Sequence, residues 1–233
     1  MANILLTGAS RGIGAATRTA LAAAGHHVIG QSTVGNDGLI AADFSGPGAA
    51  DALWTTALAA AGGRIDVLVN NAGVFEAADI ADAAAFAAAW GRSHAINLQA
   101  TADLCRHAVL HFRGNGGGRI INVASRAGHR GDSPAHWHYA AAKGGMIALT
   151  KTIARGYARD DILAFAVAPG FTMTGMAEEY LSSRGGDKLL ADIPLGRVAG
   201  ANEIAETIRW LAADAPPSLT GATLDINGAS YVR

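Results

Sequence analysis

The stretch Asn3-Ile4-Leu5-Leu6-Thr7-Gly8-Ala9-Ser10-Arg11-Gly12-Ile13-Gly14 decides the fold. It carries a short apolar run straight into a glycine-rich turn and then into a helical segment reaching Ala24. Apolar runs bounded by turn residues recur at Val28 to Ser32, Leu39 to Asp43, Ile65 to Asn70, Arg119 to Ala124, Ile162 to Val167 and Thr223 to Ile226. With Asn3 to Thr7 they predict about seven strands. These runs are nearly continuous in Ile, Leu and Val, as strands are when helices cover both faces of a parallel sheet. Helical stretches fall between them at Ala49 to Ala61, Ser93 to Phe112, Tyr139 to Ala158 and Asn202 to Ala213. Such alternation requires right-handed crossovers and predicts an α/β, doubly wound parallel sheet with helices on both faces. At 233 residues, with no Pro- or Ser-rich linker and no fixed repeat, a single domain over 1–233 is expected. The least regular part, 171–195, reads as a substrate lid within it.

Composition narrows the partners. The formal net charge is −1 and 16% of residues are charged, so no basic field exists to hold a nucleic-acid backbone. The 30 glycines and the runs Ala22 to Ala24, Ala83 to Ala85 and Ala87 to Ala89 alternate with strand segments, which fits closely packed helices rather than low complexity. Cys105 is the single cysteine, so neither an intramolecular disulfide nor a multi-cysteine zinc site can form, and a buried structural thiol is the expectation. The opening Met1 to Leu6 carries no basic segment and is too short for a signal peptide or membrane span, so a cytoplasmic protein without membrane partners is expected.

Four features carry chemistry. In the first turn Gly8, Gly12 and Gly14 give a G-x-x-x-G-x-G spacing, with Ser10, Arg11 and Ile13 between them. Glycines there let backbone approach a pyrophosphate, and a helix N-terminus offers free N–H groups and a positive dipole end. Alone, the spacing also suits an ordinary strand-to-helix turn. Asn70-Asn71-Ala72-Gly73 follows the fourth strand, at the carboxyl edge where open parallel sheets bind ligands. Tyr139 and Lys143 stand one helical turn apart, so an ammonium beside the phenol is expected to lower its pKa toward working pH. A solvated surface pair has the same spacing. Ser125 ends the strand Ile120-Ile121-Asn122-Val123-Ala124, where its hydroxyl can donate to a substrate oxygen.

Together, in this order and over Asn3 to Gly228, these stretches resemble the short-chain dehydrogenase/reductase family. The resemblance implies a Rossmann-type fold and a nicotinamide cofactor. It assigns a catalytic tetrad of Asn97, Ser125, Tyr139 and Lys143, the asparagine coming from Ala95-Ile96-Asn97-Leu98. Tyr139 then exchanges a proton with the substrate oxygen, Ser125 polarises it, Lys143 holds the ribose and Asn97 positions a water. The implied cofactor contacts are the glycine-rich turn, Gln31 and Ser32 after the second strand, Asp43 and Phe44 at the adenine, Asn71, Ala72 and Gly73, Tyr139 and Lys143. To these Pro169-Gly170-Phe171-Thr172-Met173-Thr174 adds Pro169, Gly170, the Thr172 backbone and the Thr174 hydroxyl at the carboxamide. The family's helices at Ser93 to Phe112 and Tyr139 to Ala158 imply a homotetramer or homodimer.

NADP(H) is favoured over NAD(H), because the second strand ends at Gln31 without a carboxylate and Arg11 is placed to meet a 2′-phosphate. Asp37 in Gly35-Asn36-Asp37-Gly38 is the competing ribose acid, although that tetrapeptide reads as a turn. His129, His136 and His138 cluster between Ser125 and Tyr139, and His107 and His111 stand at i and i+4, but neither set has a recognised metal spacing. Substrate contact or plain exposure suits the first set, packing the second, so no metal is expected. Val28-Ile29-Gly30 and Leu195-Gly196-Arg197 point to a reductase of 3-oxoacyl thioesters, on acyl carrier protein or CoA. A dehydrogenase of a small secondary alcohol, sugar or aromatic metabolite, with Trp137, Phe171 and Tyr180 in the pocket, is the alternative. A dinucleotide sensor without turnover is a third, which the complete tetrad disfavours.

Overall fold

In the computed structural model, residues 1–173 and 190–233 are described. Seven parallel strands form the sheet: β1 (Asn3–Leu6), β2 (His27–Ser32), β3 (Ile40–Ala41), β4 (Val67–Asn70), β5 (Gly118–Val123), β6 (Ile162–Pro169) and β9 (Thr223–Ile226). Their order across the sheet is β3-β2-β1-β4-β5-β6-β9, with the chain reversing its direction of travel between β3 and β4. Between β6 and β9 a small second pair forms from β7 (Thr172–Met173) and β8 (Ala199–Gly200). The predicted lid, 171–195, with Thr174 and Tyr180, falls largely outside the described residues.

Why the central strand sequences are so largely apolar is visible in the packing. Successive strand side chains point to opposite faces. Ile4, Leu6, Val67, Val69, Ile121 and Phe165 pack on one face with Leu21 of α1 (Gly12–Ala23) and Ile204, Ile208 and Leu211 of α7 (Ala201–Ala213). Leu5, Leu68, Ile120 and Ala164 take the other face. There they meet Leu53 and Trp54 of α2 (Ala49–Ala60), Leu104 and Phe112 of α4 (Ala100–Gly114), and Ile153 of α6 (Trp137–Tyr157). Each fully buried Leu, Ile or Phe contributes about 1.5–3 kcal/mol before chain entropy is charged against it. No described helix is long and apolar enough to cross a membrane.

The segment expected as one helix over Ser93 to Phe112 is two helices with a wide turn between them. α3 (Ala83–His94) starts ten residues, nearly three turns, before the expected helix, and the Asp82 carboxylate caps it by accepting the N–H groups of Ala84 and Ala85 at 3.0 Å. A π turn over Ala95–Gln99 then joins α3 to α4 and carries the buried Asn97. Extra residues in a π turn redirect side chains, and such turns concentrate at functional sites. A four-residue helical turn, α5 (Ala127–Arg130), follows β5 and leads to α6.

One close approach fixes the front of the sheet. The N-terminus of α1 lies so tightly on the β1 turn that a methyl group at Gly14 would stand 1.9 Å from the Gly8 carbonyl oxygen and 2.6 Å from the Asn71 amide nitrogen. Both neighbours are held in place, so the clash cannot be relieved by a side-chain rotation. We expect Gly14→Ala to destabilise the fold by about 3 kcal/mol or more, an overpacking cost at the upper end of the usual range. Urea unfolding should read it as a lower midpoint with unchanged slope, whereas Gly156→Ala, with open space around its position, should leave the midpoint unchanged or raise it.

Candidate active site

At the carboxyl ends of β1, β4, β5 and β6 a cleft of about 820 Å³ opens, lined by Ile13, Asn71, Gly73, Ser125, Tyr139, Lys143, Pro169, Gly170 and Thr172 among others. Residues spread over more than 150 positions of sequence thus meet where the topology reverses, as expected for an open parallel sheet.

The β1 side is built from hydrogen bonds that the sequence did not announce. Thr7 is buried, and its hydroxyl oxygen accepts the N–H groups of both Asn71 and Ala72 at 2.9 Å. In return the Asn71 side-chain amide donates to the carbonyls of Thr7 and Gly8 at 3.0 and 3.1 Å. The glycine-rich turn is thereby locked against β4. Arg11 sits extended at the N-cap of α1 with no side-chain cap, and the first turn carries no acid. The free N–H groups suit a phosphate of a dinucleotide, while Gly8 and Gly14 let the turn pack against α1 and the Asn71-Ala72 backbone. Ser10 and Arg11 are exposed beside them.

Gln31, expected at the adenine ribose, is buried: its amide oxygen accepts the Gly8 N–H at 2.8 Å and its nitrogen donates to Ala42 at 2.7 Å. Its side chain is a brace between β1 and β3. Ser32 is likewise buried, its hydroxyl accepting the Gly35 N–H at 3.0 Å. Asp43 is exposed, and one of its oxygens binds the N–H and hydroxyl of Ser45 at 2.9 and 2.8 Å. Phe44 packs into the core, so only its backbone faces outward chemistry. Asp37 adopts a left-handed backbone at φ 57°, and its carbonyl accepts from Arg18 at 3.2 Å. Arg18 is a second cation at this corner, one that sequence reading had passed over.

The tetrad residues come together with different degrees of freedom. Lys143 is buried, 4% exposed, and its ammonium donates to the Val123 carbonyl at 2.7 Å. Burial disfavours its charge and pulls its pKa down to about 8. The ammonium stands 5.8 Å from the centre of the Tyr139 ring. Tyr139 is not acidified as the sequence suggested: burial pushes its phenol up to about 12, against the pull of a hydrogen bond with Ser125. The Ser125 hydroxyl also accepts the Ala127 N–H at 3.1 Å. α5 holds that serine against α6, because Gly128 lets backbone meet backbone; a methyl there would stand 2.7 Å from the Lys143 carbonyl carbon. Asn97 is buried and clamps Val74, accepting its N–H at 2.9 Å and donating to its carbonyl at 3.0 Å, with Ser93 as a third partner. Its backbone carbonyl accepts from the Thr101 hydroxyl at 3.4 Å.

Around this centre Phe75 stacks on His136 with ring centres 3.9 Å apart and meets Tyr139 edge-on at 4.8 Å. Phe171 lines the cleft, while Trp137 is half exposed and packs on Phe86. The histidines have separate partners. His129 stacks on Tyr231, His138 Nε2 lies 2.9 Å from the Glu76 carbonyl, His107 pairs with Asp51 at 2.6 Å, and His111 accepts the Ile65 N–H. Among the described residues no three metal-ligating side chains converge. Cys105 is buried between Asn70 and Asn122, and its thiol pKa is pushed up to about 12 by burial.

Comparison with known proteins agrees with this geometry. The sequence profile of a family described as enoyl-(acyl carrier protein) reductase matches residues 8–229. The 3-oxoacyl-(acyl-carrier-protein) reductase FabG of Escherichia coli is 35% identical, covering 98% of this chain and 96% of the relative. A 3-oxoacyl-(acyl-carrier-protein) reductase of Synechocystis is 38% identical over 96% of this chain and 94% of its own length. An acetoacetyl-CoA reductase of Rhizobium meliloti is 32% identical, with 97% of each chain covered.

The buried ammonium predicts its own cost. Below the folded pKa near 8 the protein must hold a charge that an unfolded chain carries in water, and this penalty fades as pH rises through the unfolded value of 10.5. Lys143→Met should therefore raise the unfolding temperature at pH 7 by a few degrees, with a smaller gain at pH 9.5. Calorimetry at the two pH values checks the sign.

Proposed function

Because the chain belongs to the short-chain dehydrogenase/reductase family, and is therefore a nicotinamide-dinucleotide-dependent oxidoreductase of hydroxyl and carbonyl groups, we propose that it uses NADP(H) to reduce a 3-oxoacyl thioester. The observation that carries the reading is the convergence of the Ser125 hydroxyl, the Tyr139 phenol and the Lys143 ammonium in one cleft beside an uncapped helix N-terminus. The names of the relatives, two 3-oxoacyl-carrier-protein reductases and an acetoacetyl-CoA reductase, support the substrate class.

The cofactor, when bound, supplies the hydride. Gly8, Ser10, Arg11, Gly12, Ile13 and Gly14 would hold its phosphates, Asn71, Ala72 and Gly73 its central part, and Pro169, Gly170 and Thr172, with Thr174 just beyond the described residues, its carboxamide. Ser125 donates a hydrogen bond to the substrate oxygen, and Tyr139 delivers the proton that completes the alcohol. With its pKa near 12, the phenol is protonated at neutral pH, the state that reduction requires. Lys143, charged below about pH 8 and 5.8 Å from the centre of the phenol ring, would hold the ribose hydroxyls. Asn97 keeps the Val74 backbone and so the Gly73 wall in place.

NADP(H) is supported by the absence of a carboxylate at the tip of β2 and by two guanidiniums at that corner, the exposed Arg11 and the half-buried Arg18. A homodimer or homotetramer through α4 and α6, and a cytoplasmic site of action, belong to the same proposal; exposed Leu110 on α4 suits a covered face. A second substrate reading, a small aromatic ketone or alcohol, draws on the flat wall that Phe75 and His136 build beside Tyr139.

Two measurements test this. Tyr139→Phe should lower kcat for acetoacetyl-CoA by about 10²–10⁴, the usual contribution of a positioned acid, with nucleotide affinity little changed; near wild-type turnover would overturn the mechanism. Comparison of kcat/KM for NADPH and NADH should favour NADPH, and Arg11→Ala should cut that preference by about tenfold, as loss of one charge-assisted phosphate contact does. A wild type that prefers NADH sinks the cofactor assignment.

A further inference from the structure

Arg126 follows Ser125 directly, and its side chain is only 12% exposed; among the described residues its guanidinium makes one hydrogen bond, Nη1 to an Asp192 carboxylate oxygen at 3.3 Å. A guanidinium carries five N–H donors, so most of this one is left to face the cleft it lines. Arg130, one turn later, donates to the same Asp192 oxygen at 3.0 Å and to the Ser230 carbonyl at 3.0 Å. Both arginines line the cleft that holds Ser125 and Tyr139.

Two cations therefore share one oxygen of one carboxylate, and that carboxylate is itself half exposed. The other acid at this wall, Asp132, is turned toward its own loop: its Oδ1 accepts the Ser133 N–H at 2.7 Å and stands 3.9 Å from His136. The pair is also remote from the dinucleotide's phosphates. It follows β5, two strands across the sheet from the β1 turn, and strand spacing alone separates the two places by about 10 Å.

We propose that Arg126 and Arg130 form an anion subsite at the substrate end of the cleft, which takes a carboxylate or phosphate carried by the oxo substrate, with Asp192 sharing the two guanidiniums. The proposal rests on the reading of the cleft as a ketone-reducing site. It adds that the substrate is an anion near its reacting carbon or along its thioester arm. Paired guanidiniums suit either group, since their planar forks match the oxygens of both.

Two matched substrate pairs test it with the wild type, Arg126→Gln and Arg126→Lys. Acetoacetate and ethyl acetoacetate share the ketone and differ in the free carboxylate. Acetoacetyl-phosphopantetheine and acetoacetyl-pantetheine share the thioester and differ in the phosphate. The anion of whichever pair reports the true source should be favoured in the wild type, and its advantage in kcat/KM should shrink by about tenfold to a hundredfold in Arg126→Gln and by less in Arg126→Lys. A folding defect lowers both members of a pair together and leaves their ratio unchanged. If neither ratio moves between wild type and Arg126→Gln, the subsite is overturned. If no ketone is reduced, the function proposed above fails separately, and thermal unfolding with sodium acetoacetate or inorganic phosphate then decides. A rise in unfolding temperature in the wild type that Arg126→Gln lacks supports the subsite, and no rise in the wild type overturns it.

Discussion

A parallel sheet ends in a row of strand tips whose last backbone groups have no strand to bond to, and the chemistry of this protein grows from how those tips are satisfied. At β1 and β4 the Thr7 hydroxyl and the Asn71 amide exchange four hydrogen bonds with the neighbouring turn. One layer deeper Asn70 donates to Asn122 at 2.8 Å, and Asn122 donates to Thr150 of α6 at 2.8 Å. At β5 the Val123 carbonyl takes the Lys143 ammonium. Buried polar groups left single cost more than a made hydrogen bond returns, so each pairing fixes a strand end relative to the helix beyond it. The cleft is rigid where it must hold a cofactor because these tips are crosslinked by side chains rather than by strands.

Much of this architecture was legible in the sequence, and the misses have physical causes. Central strands buried on both faces announce themselves as near-continuous Ile, Leu and Val, and with the turn residues around the edge strands this marked all seven strands of the main sheet. α3 was overlooked because its alanines and Trp90 are mostly exposed, so no apolar stripe marks it; the one local signal was Asp82 as a cap. The break between α3 and α4 leaves no composition signal, since a π turn over Ala95–Gln99 uses ordinary helix-forming residues. Tertiary pairing explains the rest. Gln31 meets Gly8 and Ala42, and Arg126 meets Asp192 sixty-six residues away, contacts that no local spacing encodes.

The Tyr139 and Lys143 pair illustrates where spacing runs out. One helical turn does bring them to the same cleft, but proximity did not settle the sign of the electrostatics. Lys143 spends its close contact on a backbone carbonyl, and its 5.8 Å separation from the ring leaves desolvation as the larger effect on the phenol. Both groups are thereby pushed toward their neutral forms, Tyr139 upward and Lys143 downward. Such a pair is balanced for passing a proton rather than for storing charge, at a cost in stability that active sites commonly carry.

Unused hydrogen-bonding capacity separates scaffold from chemistry across the cleft. Asn71, Asn97, Asn122 and Gln31 are polar and central, yet their side chains are committed to the protein itself. Lys143 is different: it uses one contact where an ammonium has three donors. Arg126 is more extreme, with one contact for five donors among the described residues. A cation with donors to spare in the wall of an otherwise well-paired cleft stays in place only because the remainder of the fold holds it there. It regains its missing bonds when a ligand arrives, and that differential is what binding and turnover draw on. By this criterion the proposed substrate end of the cleft, around Ser125 and Arg126, has the same unspent donors as the glycine-rich turn proposed to hold the cofactor.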